Sequence, residues 1–263
     1  TSISIIADIT ENIIGKRGAV SYLVPIGDNP EDYEPLPSDI RKVANANAVI
    51  LNGWGLDETI SLGVKHVNDN IFYITNSIDP IMLEGRNFPD PHAWFDVNIV
   101  ANHYVKNILQ ILIELDPDGK EEYINNANEY TTELLQLDDW IKEQVQLIPE
   151  ENKIIIISEN ALKYYGDAYG LRTEGIWELN SHEEGTPQQI ARIIDIVRQH
   201  NLPSIFVEST VDRRYMEIIS NDTSTPIGGY IYTDALGTYG SGAETYISMM
   251  EHNTQTLVDN LSP

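Results

Sequence analysis

Five side chains stand out for what they could bind. Glu31 and Asp32 follow the apolar run AVSYLVPIG. His92 sits in DPHAWFD, after NIFYITNSID, while Glu159 ends KIIIISE and Asp234 ends TPIGGYIYTD. Each follows a run that reads as a β-strand. In open α/β sheets, ligands sit outside the carboxyl ends of the strands. Carboxylates and an imidazole there suit a small cation held in a cleft between two halves of the chain. Each residue also has a plainer role. Glu159 suits the positive start of a helix, Asp234 a turn closing a strand, and His92 a packed loop after Pro91.

Other chemistries lack their residues. Cysteine is absent, which removes thiol catalysis, thiolate metal sites and disulfides. There is no G-x-S-x-G elbow, no P-loop and no G-x-G-x-x-G. HAWFD lacks the second histidine of H-E-x-x-H. The HEEG stretch at 182–185 reads as an acidic loop before it reads as a metal site. Asp116 to Gly119, DPDG, lacks the later ligands of a calcium loop and reads as a helix-start turn. His66, His103, His200 and His252 fall in helical runs and read as structural or exposed.

The elements that position these residues alternate in type. SISII and AVSYLVPIG read as strands with ADITENIIG helical between them; AVILNG and NIFYIT read as short buried strands, with SDIRKVANAN and DETISLGVKHVND as helices. VNIVANHYVKNILQILIEL reads as one apolar-rich helix. From Lys120 to Leu147 there is no Gly or Pro, and Tyr123, Ala127, Tyr130, Leu134, Leu137, Ile141 and Val145 recur at helical spacing. That predicts a rod of roughly 40 Å. The βα rhythm then returns with KIIIISE, TEGIWEL, PSIFVEST and TPIGGYIYTD as strands. The expected fold class is α/β, two lobes with parallel-type sheets joined by one long rigid helix. The boundaries are 1–115 for the first lobe, 116–149 for the linking helix and 150–263 for the second lobe.

Charge narrows the partners. The chain of 263 residues carries 41 acidic and 16 basic side chains, a net charge of −25. Nucleic acid and anionic lipid surfaces need clustered Lys and Arg, so no nucleic acid is expected. No apolar run approaches the roughly 20 residues of a membrane span.

The chain resembles the metal-binding solute-binding proteins of bacterial ABC importers, the manganese/zinc/iron group (cluster A-I) that includes the lipoprotein "adhesins" of Gram-positive bacteria. The resemblance is carried by SIIADITENI, YEPLPSDI, NGWGLD, DPHAWFD, SENALKYYGDAYG, WELNSHEEGTPQQI, PSIFVESTVDRRYM and YTDALG, in order. WELNSHEEGTP and ISMMEHN look closer to the manganese/iron branch, and the long His-rich loop of the zinc branch has no counterpart. The resemblance implies a metal in the cleft, held in the manganese branch by two His, one Glu and one Asp. His92, Glu159 and Asp234 match three of these positions. The fourth histidine belongs in a segment D-P-H-x-Y-E-P, which here reads N-P-E-D-Y-E-P, so Glu31 stands in its place. Asp32 replaces it if the loop is shifted by one residue.

Three carboxylates and one neutral imidazole carry −3, against −2 for the usual set. More oxygen and less nitrogen favours Mn²⁺, then Fe²⁺, over Zn²⁺. The resemblance further implies no enzyme activity, a membrane permease as partner and a monomer. It places the protein outside the cytoplasm, at the cell surface or in the periplasm, anchored through a lipidated N-terminus lying before Thr1. The alternative is a surface adhesin with a degenerate metal site. A metal-dependent hydrolase ranks last, since a cation enclosed by four side chains leaves little room for a reacting water.

Overall fold

The structure is a computed structural model and describes residues 1–179 and 185–262. Three pairs of parallel strands carry the α/β rhythm. In the first half, β1 (Val49–Leu51) pairs with β2 (Ile71–Tyr73). In the second half, β3 (Ile154–Glu159) pairs with β4 (Arg172–Trp177), and β5 (Ile205–Glu208) with β6 (Ile227–Ile231). β3 and β5 also lie side by side, so the second half brings four strands together. β3 and β5 are buried along their whole length, as expected for strands covered on both faces.

Helices fill the intervals. They are α1 (Ser4–Ile14), α2 (Pro37–Asn45) and α3 (Glu58–Val64), then α4 (Val97–Ile99), which runs through a π-turn at Val100–Tyr104 into α5 (Val105–Leu115). The rod is α6 (Lys120–Val145), followed by α7 (Lys163–Tyr169), α8 (Pro187–His200), α9 (Arg214–Thr223) and α10 (Tyr246–Leu261). At 26 residues, α6 is roughly 39 Å long. All seven apolar positions of its predicted stripe are buried, and they pack against α1, α5 and α10. Asp116, in the predicted turn before α6, accepts hydrogen bonds from Arg17 Nε (2.9 Å) and Tyr123 Oη (2.7 Å).

Two expectations fail at the beginning of the chain. SISII enters α1 at Ser4 rather than forming a strand. Ile5, Ile9 and Ile13 recur every four residues and are fully buried, so tertiary packing of one helical face overrides the β preference of isoleucine. AVSYLVPIG is not a strand either. Its Leu23 and Val24 amides donate to the Ser2 carbonyl at 3.1 and 3.0 Å, but Pro25 supplies no amide to extend the pairing.

The apolar core is continuous from α1 and β1 through α6 to α7 and α10. A smaller cluster lies between β3–β5 and helices α8 and α9.

Candidate metal centre

His92 lies in the loop between β2 and α4, just before a 3-10 turn at Ala93–Phe95. Asp90 Oδ1 accepts hydrogen bonds from the His92 backbone amide (2.9 Å) and from Nδ1 (2.8 Å). That contact fixes the proton on Nδ1 and leaves Nε2 to face the interior. The loop is clamped from several elements. Asn52 Nδ2 donates to the Pro91 carbonyl (2.9 Å), and Tyr104, at the end of the π-turn, donates to Asn52 Oδ1 (2.7 Å). Tyr164 Oη donates to the Asp90 carbonyl (3.1 Å), Trp94 Nε1 to the Thr233 carbonyl (3.1 Å) and Tyr246 Oη to the Trp94 carbonyl (2.6 Å). The last three come from, or reach, the second half of the chain.

Glu159 ends β3. The turn beyond it is tight against β4, with the Asn160 amide donating to the Trp177 carbonyl at 2.9 Å. A side chain at Gly175 would lie 2.4 Å from the Asn160 nitrogen, so only glycine lets this turn seat. Asp234 lies three residues beyond β6, and its Oδ2 accepts from Thr210 Oγ1 (3.2 Å) and Thr233 Oγ1 (3.3 Å).

Glu31 is half-buried in the proline-rich loop. Asn29 Oδ1 accepts its backbone amide at 3.0 Å, and Asn29 Nδ2 donates to Asp32 Oδ2 at 3.2 Å. Further along, Asp39 Oδ2 accepts from Tyr33 Oη (2.7 Å) and from the Leu36 amide (2.9 Å), which ties the loop to the start of α2. Burial alone would raise the Asp39 carboxyl, but those two hydrogen bonds hold it below its usual range. Asp39 is only 3 % exposed, a structural anchor rather than a solvated charge.

These side chains converge. One donor atom each from Glu31, His92 and Glu159 lie within 4.8 Å of one another, and so do those of Glu159, Glu208 and Asp234. His92 Nε2 is 3.3 Å from Asp234 Oδ1 and 3.8 Å from Glu159 Oε1. His92, Glu159, Glu208 and Asp234 are all at most 2 % exposed. Neither His92 Nε2 nor Asp234 Oδ1 makes a hydrogen bond, although leaving such atoms unsatisfied in the interior is costly. Asp32 is exposed and belongs to neither group, so the loop register brings Glu31 and not its neighbour inward.

Protons register the crowding of charge. Burial pushes the Glu159 carboxyl well above its usual range, with Glu31, Asp234 and Glu208 pushing the same way and His92 opposing. Burial also pushes Glu208 up to about 8. For His92, burial acts to lower the pKa, but Asp90, Asp234 and Glu159 together raise it well above the ordinary value. Such a site holds protons when it holds no cation. A divalent ion among the same atoms would displace these protons and favour the ionised carboxylates that burial disfavours.

Sequence reasoning missed Glu208 and Asp90. Glu208 ends β5 just as Glu159 ends β3, so the rule that selected Glu159 applies to it equally. Asp90 stands two residues before His92 in DPH, a spacing from which a carboxylate can reach both the amide and the ring of the histidine. Of the other histidines, His66 is exposed, His103 and His200 are half-buried, and His252 packs edge-on to Tyr232; none belongs to a metal-competent group among the described residues. In HEEG, His182, Glu183 and Glu184 lie outside the described residues.

Comparison with known proteins agrees over nearly the whole chain. Residues 1–260 match the family described as zinc-uptake complex component A, periplasmic (ZnuA). The chain is 51% identical over 263 residues to the manganese-binding lipoprotein MntA of Halalkalibacterium halodurans, covering all of this chain and 87% of that protein. It is 40% identical over 271 residues to the manganese ABC transporter substrate-binding lipoprotein PsaA of Streptococcus pneumoniae, covering 98% and 87%. Among solved structures, the periplasmic zinc binding protein TroA of Treponema pallidum superposes with a TM-score of 0.94 at 26% identity, over 100% of this chain and 98% of that one. A Mn-bound periplasmic metal binding protein of Candidatus Liberibacter asiaticus superposes with a TM-score of 0.90 at 29% identity, over 99% and 97%.

Proposed function

This chain belongs to the periplasmic zinc-uptake complex component A family, and from that premise we propose that it captures a divalent transition metal, manganese first, and hands it to an ABC permease in the membrane. The metal is cargo rather than the agent of a reaction, in keeping with a family of transport components. Glu31, His92, Glu159 and Asp234 hold the ion. The single observation that carries this reading is the convergence of a buried imidazole nitrogen and buried carboxylates, with His92 Nε2 3.3 Å from Asp234 Oδ1. Like charges packed this closely in the interior repel unless protons or a cation lie between them.

The donor set supports manganese over zinc. Three carboxylates can bind through one or two oxygens each and so accept a coordination number above four, whereas zinc prefers four ligands and more nitrogen or sulfur. Iron(II) is the next candidate and zinc the third. The names of MntA and PsaA favour the same order. In this reading residues 1–115 and 150–263 form two lobes about the helical segment 116–149, and release parts the walls that Trp94 and Thr233 tie together. The protein works as a monomer outside the cytoplasmic membrane, tethered by lipid as the lipoprotein names of its relatives suggest.

Element analysis of protein purified without chelator, followed by Mn²⁺, Fe²⁺ and Zn²⁺ titration, tests the reading. Folded protein that binds none of the three overturns it. Glu31→His should shift the zinc-to-manganese affinity ratio toward zinc by about tenfold, or about 1.4 kcal/mol. An unchanged ratio removes Glu31 from the ligand set.

A further inference from the structure

Glu208 sits at the middle of the second-half wall, between the strand ends that carry Glu159 and Asp234. Both of its oxygens are already used. Oε1 accepts the backbone amide of Glu159 at 2.8 Å, and Oε2 accepts from Thr233 Oγ1 at 3.2 Å. Thr233 in turn adjoins Asp234, whose Oδ2 lies 3.3 Å from the same hydroxyl. Asp234 Oδ1 points the other way, toward His92 Nε2. One buried carboxylate thus spans the ends of β3 and β6 and touches the backbone of one acidic residue and the immediate neighbour of the other.

We propose that Glu208 is a positioning residue for metal capture, a crossbar that sets the spacing of the Glu159 and Asp234 carboxylates without ligating the ion itself. The proposal rests on the metal-binding reading above. Its chemistry follows from bond directions. A carboxylate whose two oxygens face an amide and a hydroxyl has its strongest acceptor lobes turned to protein donors. Outer groups of this kind orient ligands and tune affinity as strongly as many direct contacts. Each turn has its own anchor, the Asn160 amide on the Trp177 carbonyl and the Tyr232 amide on Asn253, and Glu208 relates one to the other.

The test uses the full chain with Mn²⁺ and with Co²⁺ as a spectroscopic probe. Glu208→Ala should weaken Mn²⁺ binding on the order of 10- to 100-fold and change the visible absorption of the Co²⁺-saturated protein. Glu208→Gln keeps an acceptor for the Glu159 amide and should recover most of the affinity and the wild-type Co²⁺ spectrum. Thermal melting of both metal-free variants checks that they fold. Wild-type affinity and spectrum in a folded Glu208→Ala protein overturn the proposal. So does weakened affinity with an unchanged Co²⁺ spectrum at saturation, which marks general destabilisation. Glu208→Gln as damaging as Glu208→Ala also overturns it, in favour of direct ligation. A folded wild-type protein that binds neither metal overturns the transport reading itself, and is thereby distinguished from the other outcomes.

Discussion

The two walls of the centre are built by opposite means. The second-half wall places Glu159 at the end of the buried strand β3 and Asp234 three residues beyond the partly exposed β6, with Glu208 at the end of buried β5 between them and almost no exposure of the three side chains to solvent. The Glu31 loop carries no strand and no helix until Pro37. It is held by side chains that imitate backbone turns, Asn29 at one end and Asp39 at the other. Strand ends give carboxylates fixed spacing, because the sheet defines where each strand stops. A loop gives reach and adjustability, and here its freedom is cut by three prolines and a half-buried Tyr33–Asp39 bond. His92 stands between these extremes, on a loop but clamped by Asp90, Asn52, Trp94 and Tyr164. The difference suggests a division of labour in which the rigid wall supplies affinity and the Glu31 loop tunes preference.

The largest expected effect comes from breaking the rigid wall. Asp234→Ala should lower Mn²⁺ affinity by about 100-fold or more by calorimetric titration, beyond the usual cost of removing an outer group. The metal-free variant should melt no lower than the wild type, since one of several crowded carboxylates has gone. A variant that binds Mn²⁺ normally would leave Asp234 as a turn residue.

The next effect is on pH, and it separates the walls by their protons. Folded-state pKa values of Glu159 and Glu208 are raised by burial, the latter from 4.5 to about 8. A raised carboxyl binds more protons folded than unfolded across that window, so its contribution to stability is present below about pH 4.5 and lost as pH rises toward 8. His92, also raised, has the same sign. Mn²⁺ displaces these protons and opposes the loss. The Mn²⁺-induced rise in Tm should therefore be larger at pH 8 than at pH 5.5, by ~5 °C for a domain of this kind. An equal rise at both values would show that metal binding is not linked to these groups.

The smallest effect sharpens the loop side. Burial and the Asp39 carboxylate push Tyr33 up to about 12. Tyr33→Phe removes one hydrogen bond to a charged acceptor and should cost about 1–2 kcal/mol by chemical denaturation. It should reduce Mn²⁺ affinity only about threefold, because the rigid wall is intact. A loss as deep as that of Asp234→Ala would place the Glu31 loop on equal footing with the strand ends.

Much of this molecule was legible from residue order. The stripe from Tyr123 to Val145 specified the long helix because one face of a rod must be buried at helical spacing. Runs such as KIIIISE and PSIFVEST specified buried parallel strands because continuous apolar stretches suit a sheet covered on both faces. His92, Glu159 and Asp234 were picked out by the runs they follow and converge in the candidate centre, whereas the run before Glu31 is not a strand and Glu208 was missed. Tertiary structure alone decided the rest. It turned SISII into the first turns of a helix, since packing of Ile5, Ile9 and Ile13 outweighed local preference. It brought Glu31 and not Asp32 inward, a choice of one residue set by the Asn29 and Asp39 anchors. And it set Glu208 against the amide of Glu159, a contact across 49 residues of chain. Such contacts depend on which strands become neighbours, and neighbourhood is settled by the packing of the whole core rather than by any local pattern.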